Sequence, residues 1–269
     1  MRRIRLGAVG YLNARPLVFG LDRSPRFDLR YDVPSECARL LHAGTIDVGL
    51  IPSIEYVRDA DFRIVPDLAI ASRGPVRSVT LYVTRQISDV RSIVVDTGSR
   101  TSVALVRVLC ERMFKIRPAI DTGGPDLAAM LVRADAALVI GDNALLDESS
   151  VAKLPSPVEK IDLGETWTKM TGLPFVWAFW AGRTNAVGVA DVHALQAARD
   201  AGGRQAEAIA RDYFRDLPQH QALGAEYLRE NIKYYLGHDE LAGLELFYRH
   251  AAEAGLAPKA GALRFYASP

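Results

Sequence analysis

The sequence predicts an α/β fold built as two lobes, and three observations predict it. Short apolar, β-rich runs alternate with segments of helical period through the first two-thirds of the chain. The alternation begins afresh near residue 92, and the stretch from Ala190 to Leu256 is strongly helical in pattern. Alternation of this kind builds a mainly parallel sheet flanked by helices, and a restart builds a second one. A length of 269 residues is enough to give each sheet its own core.

Taken in order, Ile4 to Val9 reads as the first strand, and Phe27 to Val33 alternates with period two. Pro34-Ser35-Glu36 opens a helix: the proline sets the turn and Ser35 is placed to cap free N–H groups. Cys37, Leu40 and Leu41 recur at helical spacing and Gly44 stops the helix. Asp47 to Ile51 is a buried strand, with Pro52 and Ser53 starting the next helix. In the second unit, Ser92 to Val95 is a strand ending in Asp96, and Ser99 to Phe114 has helical period. Ala119-Ile120 is a brief strand, Asp126 to Arg133 a helix, and Ala136 to Ile140 a buried strand with a helix after Asp142. Val79 to Thr84 and Pro174 to Ala181 flank this unit and are placed to carry the chain between the lobes. The expected division is a discontinuous first lobe, 1–85 plus 184–269, with a helical C-terminal part, and a second lobe of 86–183.

Composition excludes several classes. Hydrophobic residues at 49% and charged residues at 24% describe a globular chain rather than a disordered one. A net charge of +1 gives no general attraction to nucleic acid or to an anionic membrane, so an acidic ligand has to be held by local donors. No apolar run approaches the roughly 20 residues that span a bilayer. The opening MRRIRLGAVGYLNARPL is broken at Gly7, Gly10, Asn13 and Pro16 and does not read as a secretory signal, which predicts a cytoplasmic location. Cys37 and Cys110 each lie inside an apolar helical pattern and are expected as free, buried thiols. The five histidines are scattered, so no metal site and no Ser–His–Asp or Cys–His constellation can be assembled. The charged face from Arg204 to Arg215 reads as solvated surface.

In open parallel sheets ligands bind beyond the carboxyl ends of the strands, which for two facing lobes means the cleft between them. Asp96-Thr97-Gly98-Ser99-Arg100-Thr101-Ser102 follows a strand and opens a helix, a place where N–H groups and the helix dipole favour an anion. Gly98 permits close approach, while Ser99, Arg100, Thr101 and Ser102 supply donors; the alternative is that Ser99 and Thr101 only cap the helix and Arg100 is solvated. Tyr11, Asn13 and Arg15 follow the first strand, and Asn13 in a turn is equally able to bond its own backbone. Ser72, Arg73, Arg77 and Ser78 surround a Gly-Pro break in what reads as a loop entering a strand. Asp142, beside Asn143, reads as a helix N-cap ahead of any catalytic part. Thr171 to Trp177 mixes breakers with bulky residues able to wall a pocket or to fill a core. From residues alone the result is a two-lobed α/β protein with an anion-binding cleft, either enzyme or binder.

Seven blocks in one order sharpen this: YLNARPL at 11–17, PSECARLL at 34–41, DVGLIPSIEY at 47–56, ASRGPVRSV at 71–79, GSRTS at 98–102, IGDNAL at 140–145 and TGLPFVWAFW at 171–180. Together with KYYLG and GLELFY in the tail, the set resembles the chorismate dehydratase family. The resemblance implies a type II periplasmic-binding-protein-like fold: two α/β lobes joined by two crossover strands, a ligand cleft between them and a helical C-terminal segment. It implies the loss of water from chorismate to give 3-[(1-carboxyvinyl)oxy]benzoate, the first committed step of the futalosine route to menaquinone. It implies no cofactor and no metal, a small-molecule substrate, and neither nucleic acid nor membrane as partner; oligomeric state stays open. Asn13 and Ser78 are expected at the reacting ring and leaving hydroxyl, with Ser72 a rival to Ser78. The start of the Ser99–Ser102 helix is expected on a substrate carboxylate, with Tyr11, Arg15, Ser53, Ser72, Arg73, Gly98, Asp142 and Asn143 around the substrate. No residue is an obvious general base, which suggests that the enolpyruvyl carboxylate of the substrate takes the proton. The alternatives are a non-catalytic binder of small carboxylates and the related dihydroxynaphthoate synthase, whose SPCPND-like start and histidine motif are not found here. A regulator would need a helix-turn-helix, and the lack of an export signal disfavours transport.

Overall fold

A computed structural model of the chain describes residues 2–267. The chain opens with β1 (Ile4–Val9), β2 (Phe27–Asp32), α1 (Pro34–His42) and β3 (Val48–Pro52), followed by the short strands β4 (Phe62–Ile64) and β5 (Ile70–Ser72). β6 (Val79–Val83), β7 (Ser92–Asp96), α2 (Thr101–Leu109), β8 (Ala119–Gly123), α3 (Leu127–Arg133) and β9 (Ala136–Ile140) come next. Two one-turn helices, α4 (Asp142–Leu145) and α5 (Glu148–Val151), lead to β10 (Glu159–Asp162) and α6 (Leu163–Thr171). β11 (Phe175–Arg183) precedes the helical tail of α7 (Val189–Gly203), α8 (Ala206–Tyr213), α9 (Gln221–Glu226) and α10 (His238–Glu253).

Two sheets result. The first has the order β2-β1-β3-β11-β4, with β5 also on β11; the second has the order β10-β6-β9-β7-β8. Each is built the same way. β1 pairs in parallel with β2 and β3, and β11 runs antiparallel beside β3. β7 pairs in parallel with β8 and β9, and β6 runs antiparallel beside β9. β3 and β9 are buried along their whole length, which is why they read as unbroken apolar runs.

Several local expectations are corrected. Val79–Thr84 and Pro174–Ala181 were expected to bridge the lobes, but β6 is a member of the second sheet and β11 of the first. The chain therefore crosses between sheets at 73–78 and again at 163–174. Ser35 does not cap α1: extended Val33 holds the cap position without a side-chain bond, and Ser35 N–H reaches Gly98 O at 3.2 Å. The helix expected over Ser99 to Phe114 starts at Thr101 and ends in a π turn from Cys110 to Phe114. Cys37 and Cys110 are free and buried, as expected, and burial pushes both thiols up to about 12.

The packing behind the cleft is aromatic. Phe175 meets Trp177 at 4.4 Å, Phe247 at 4.8 Å and Trp167 at 5.2 Å between ring centroids, all edge-on, the arrangement that ring quadrupoles favour. In front, the 3-10 turn Leu12–Val18 carries Asn13 and lies against α7. The approach is close: a Cβ on Gly202 would stand 2.2 Å from Pro16 O and 2.6 Å from Pro16 Cα. Backbone cannot swing aside as a side chain can, so Gly202→Ala is expected to cost about 1–3 kcal/mol. Urea denaturation measures the loss, and an unchanged midpoint would mean that the turn is free to shift.

Candidate active site

The cleft between the two sheets holds a cavity with about 520 Å³ of empty space, its open mouth included. Apolar groups form most of the wall, among them Val9, Ile70, Val76, Ile140 and Trp177. The polar side chains on it are Tyr11, Asn13, Ser78, Ser99, Thr101 and Ser102. Among the described residues that line it, none carries a carboxylate, imidazole, ammonium, guanidinium or thiol.

Each polar group arrives from a strand end. Tyr11 and Asn13 follow β1, and Ser78 immediately precedes β6, whose antiparallel direction brings its start to the same side. Ser99 lies between β7 and α2, and Thr101 and Ser102 are the first two residues of α2, where the first helical N–H groups have no partner within the helix. Ser99 Oγ accepts Ser102 N–H at 3.2 Å from one residue before the cap position, which Arg100 takes without a side-chain bond, and Ser99 also lines the cavity. Thr101 Oγ1 accepts Ile54 N–H at 3.3 Å, joining α2 to the turn after β3.

Ser78 is the serine of its block that lines the cavity. Its hydroxyl lies 2.7 Å from Tyr227 OH, a phenol buried in the π turn after α9. Ser72 instead accepts the indole N–H of Trp177 at 3.0 Å and fixes that ring as cavity wall. Asn13 Oδ1 is buried without a hydrogen-bond partner. A buried acceptor left open costs about 1–3 kcal/mol, so a ligand that donates to it gains by doing so.

Tyr11 packs flat on the second lobe: a Cβ on Gly141, whose φ is 64°, would stand 2.8 Å from Tyr11 Cε2. Burial, then the negative charges of Asp96 and Asp142, push the Tyr11 phenol up to about 12, so it remains a neutral donor. Asp96 sits behind it, its pKa raised by burial and drawn back by the Gly98 N–H at 2.7 Å.

The remaining expected residues do not line this cavity. Asp142 is not the N-cap of α4, a position that Gly141 takes; its carboxylate accepts Leu12 N–H at 3.2 Å and the Tyr213 hydroxyl, linking the lobes. Arg100 turns away and donates to Glu55 at 2.7 Å, a carboxylate 1% exposed. Arg15 lies between Tyr31 and Tyr213, 4.3 and 5.0 Å from their ring centres, and bonds Gly10 O. Arg73 pairs with Asp239 at the surface, and Asn143 is exposed beside a separate crevice. Ser53 is buried and donates to Val176 O at 2.8 Å; Gly98 contributes its backbone, with its carbonyl holding Ser35. Among the described residues no three His, Cys, Asp or Glu side chains gather as for a metal ion. No helix among them is long and apolar enough to cross a membrane.

Two α/β sheets facing a cavity at their strand ends define a periplasmic-binding-protein-like fold. The chain is similar to the periplasmic aliphatic sulphonate-binding protein of Escherichia coli, with a TM-score of 0.66 and 17% identity over 96% of this chain and 94% of that one. A protein of Archaeoglobus fulgidus superposes with a TM-score of 0.75 and 16% identity over 94% and 98% of the two chains. These likenesses concern the fold. A model of the family described as menaquinone biosynthesis matches residues 4–253. A chorismate dehydratase of Thermus thermophilus is 34% identical over 263 residues, 92% of this chain and 94% of that one. One from Campylobacter jejuni is 30% identical over 179 residues, 64% of each chain. The chain belongs to the chorismate dehydratase family of menaquinone biosynthesis.

The Asp142 link has a pH signature. Burial is the largest influence on Asp142 and raises its carboxyl above the unfolded value of about 4, despite Tyr213, Leu12 N–H and Arg15. A raised carboxyl means that the folded state holds the extra proton, so this contribution to stability is complete below about pH 4 and is lost as pH rises through the folded pKa. Asp142→Asn removes that loss. Urea titrations at a series of pH values should show the variant gaining on the wild type as pH rises above about 4, and a constant difference would contradict the assignment.

Proposed function

We propose that the cavity binds chorismate and eliminates water from it as a carbon–oxygen hydro-lyase, releasing 3-[(1-carboxyvinyl)oxy]benzoate. Family membership supports the substrate, and one observation supports the manner of catalysis: the cavity wall has neutral donors and no acid–base side chain among its described residues. The reaction suits such a wall. Removing the ring hydrogen beside the enol ether gives a carbanion conjugated to the ring carboxylate, and departure of the neighbouring hydroxyl leaves an aromatic ring. Aromatisation drives the reaction, so the protein has chiefly to orient the substrate and stabilise developing charge.

In this reading the Ser99, Thr101 and Ser102 hydroxyls and the start of α2 receive one carboxylate. Hydrogen bonds to a charged group contribute about 1.5–3 kcal/mol each, enough for neutral donors to hold it. Tyr11 closes that side as a neutral phenol. Asn13 and Ser78 address the reacting ring and its hydroxyl: the open Oδ1 of Asn13 accepts from it and Ser78 donates to it. The proton passes to the substrate's own enolpyruvyl carboxylate. Asp142, Arg15, Ser53, Ser72, Gly98 and Arg100 support these groups from behind, while Arg73 and Asn143 stand farther out. The two sheets serve as lobes that close on the substrate, dividing within the crossings rather than at 85 and 183. A cytoplasmic location accords with the two free, buried thiols.

Purified protein incubated with chorismate should form a product 18 mass units lighter, about the mass of one water, with the ultraviolet change of an aromatic ring. Binding without turnover would instead favour a non-catalytic carboxylate binder. Asn13→Ala is expected to lower kcat about 100-fold in a folded protein, and unchanged turnover would remove Asn13 from the site. Arg100→Ala separates the readings of that residue: it should leave KM within about threefold and cost about 1–2 kcal/mol of stability, a buried pair discounted for the exposure of Arg100. A KM raised tenfold or more would return Arg100 to the substrate.

A further inference from the structure

The end of α9 and the segment after it are bound closely to β5 and the outward crossing. Lys233 and Ala71 exchange two backbone hydrogen bonds, 2.9 and 2.8 Å. Asn231 Nδ2 donates to Pro75 O at 2.9 Å, and Arg77 pairs with Glu226 at 3.0 Å. These contacts place Tyr227, 1% exposed, against the residue at the end of that crossing, with its hydroxyl donating to Ser78 Oγ at 2.7 Å.

The direction of the bond matters. A serine hydroxyl has one hydrogen, and when Tyr227 donates to its oxygen that hydrogen is free to point elsewhere. The other open direction at Ser78 is the cavity. From this geometry we infer that Tyr227 is a positioning residue, which turns the Ser78 hydroxyl hydrogen toward the substrate. A ring hydroxyl then meets one fixed donor. The inference deepens the proposed dehydratase reading, in which Ser78 and Asn13 meet the reacting ring, and rests on it.

The test is a double-mutant cycle on chorismate turnover with Tyr227→Phe, Ser78→Ala and both together. Tyr227→Phe keeps the ring and its packing, so thermal unfolding and the Kd of the product, 3-[(1-carboxyvinyl)oxy]benzoate, serve as structural controls. The expected result is a kcat reduced about 10- to 100-fold in Y227F, with product Kd within about threefold. The double variant should fall no further than S78A, because the phenol acts through that hydroxyl. A folded Y227F with wild-type kcat overturns the inference, as does a double variant whose losses multiply. Wild-type turnover in S78A would overturn the reading of Ser78 itself, and the inference with it. A Y227F that loses kcat and product affinity together, with a lowered unfolding temperature, also overturns it in favour of a purely structural phenol.

Discussion

Both passages of the chain between the sheets are tied to one carboxylate, Asp162. It accepts the N–H groups of Val76 and Arg77 on the outward passage, at 3.1 and 2.6 Å, and that of Glu165 at the start of α6 on the return, at 2.9 Å. Burial raises its pKa, and these N–H groups with that of Gly164 draw it back. Arg77 meanwhile has a φ of 60°, a conformation that residues with a side chain seldom adopt. Holding it there costs on the order of 1–3 kcal/mol. The two adjacent N–H bonds to one carboxylate hold the backbone in that conformation. The bend is thereby fixed one residue before Ser78, so the position of the cavity serine derives from an acid that never touches the cavity.

The same economy places the aromatic wall. Ser72 anchors the Trp177 indole, Phe175 and Phe247 pack behind it, and α10 supplies Phe247. The helical tail is therefore part of the site's support, through α7 against the Asn13 turn, through the segment around Tyr227 against the outward crossing, and through α10 against the wall. Links from tail to site are rigid contacts between packed groups, which is how a cleft made from two sheets keeps a defined shape.

Much of the fold was legible because buried parallel strands leave a plain mark: β1, β3, β7 and β9 are apolar runs bounded by turn residues. The strands β4, β5 and β10 were not, since three or four residues carry no period and the first two exist through pairing with distant β11. At the cavity, Asn13, Ser99, Thr101 and Ser102 could be read from their places after strand ends, and Ser78 from the donor-rich loop that leads into β6, with the family resemblance in support. The arginines misled. A sequence displays a guanidinium without its partner, and Arg100, Arg73 and Arg15 turn out to be engaged by Glu55, Asp239 and two tyrosine rings. Asp142 looked like a cap because it opens a helix, whereas its partners Leu12 and Tyr213 lie on the other lobe. Tyr227 gave no signal, being 149 residues from Ser78 in a helical stretch.

A wall of hydroxyls, an amide and helix-end N–H groups behaves as a frozen replacement for water. Its dipoles are already oriented, so a ligand that exchanges hydration for them avoids the cost of turning solvent around a changing charge. It also means that the lining side chains offer no counter-charge of their own. A dianion and a neutral ring of the same outline meet the same apolar surface, but only the first can engage the dipoles. Discrimination in such a cleft is set by the pattern of acceptors the guest carries, and the cleft is selective without being electrostatically sticky toward anions at large.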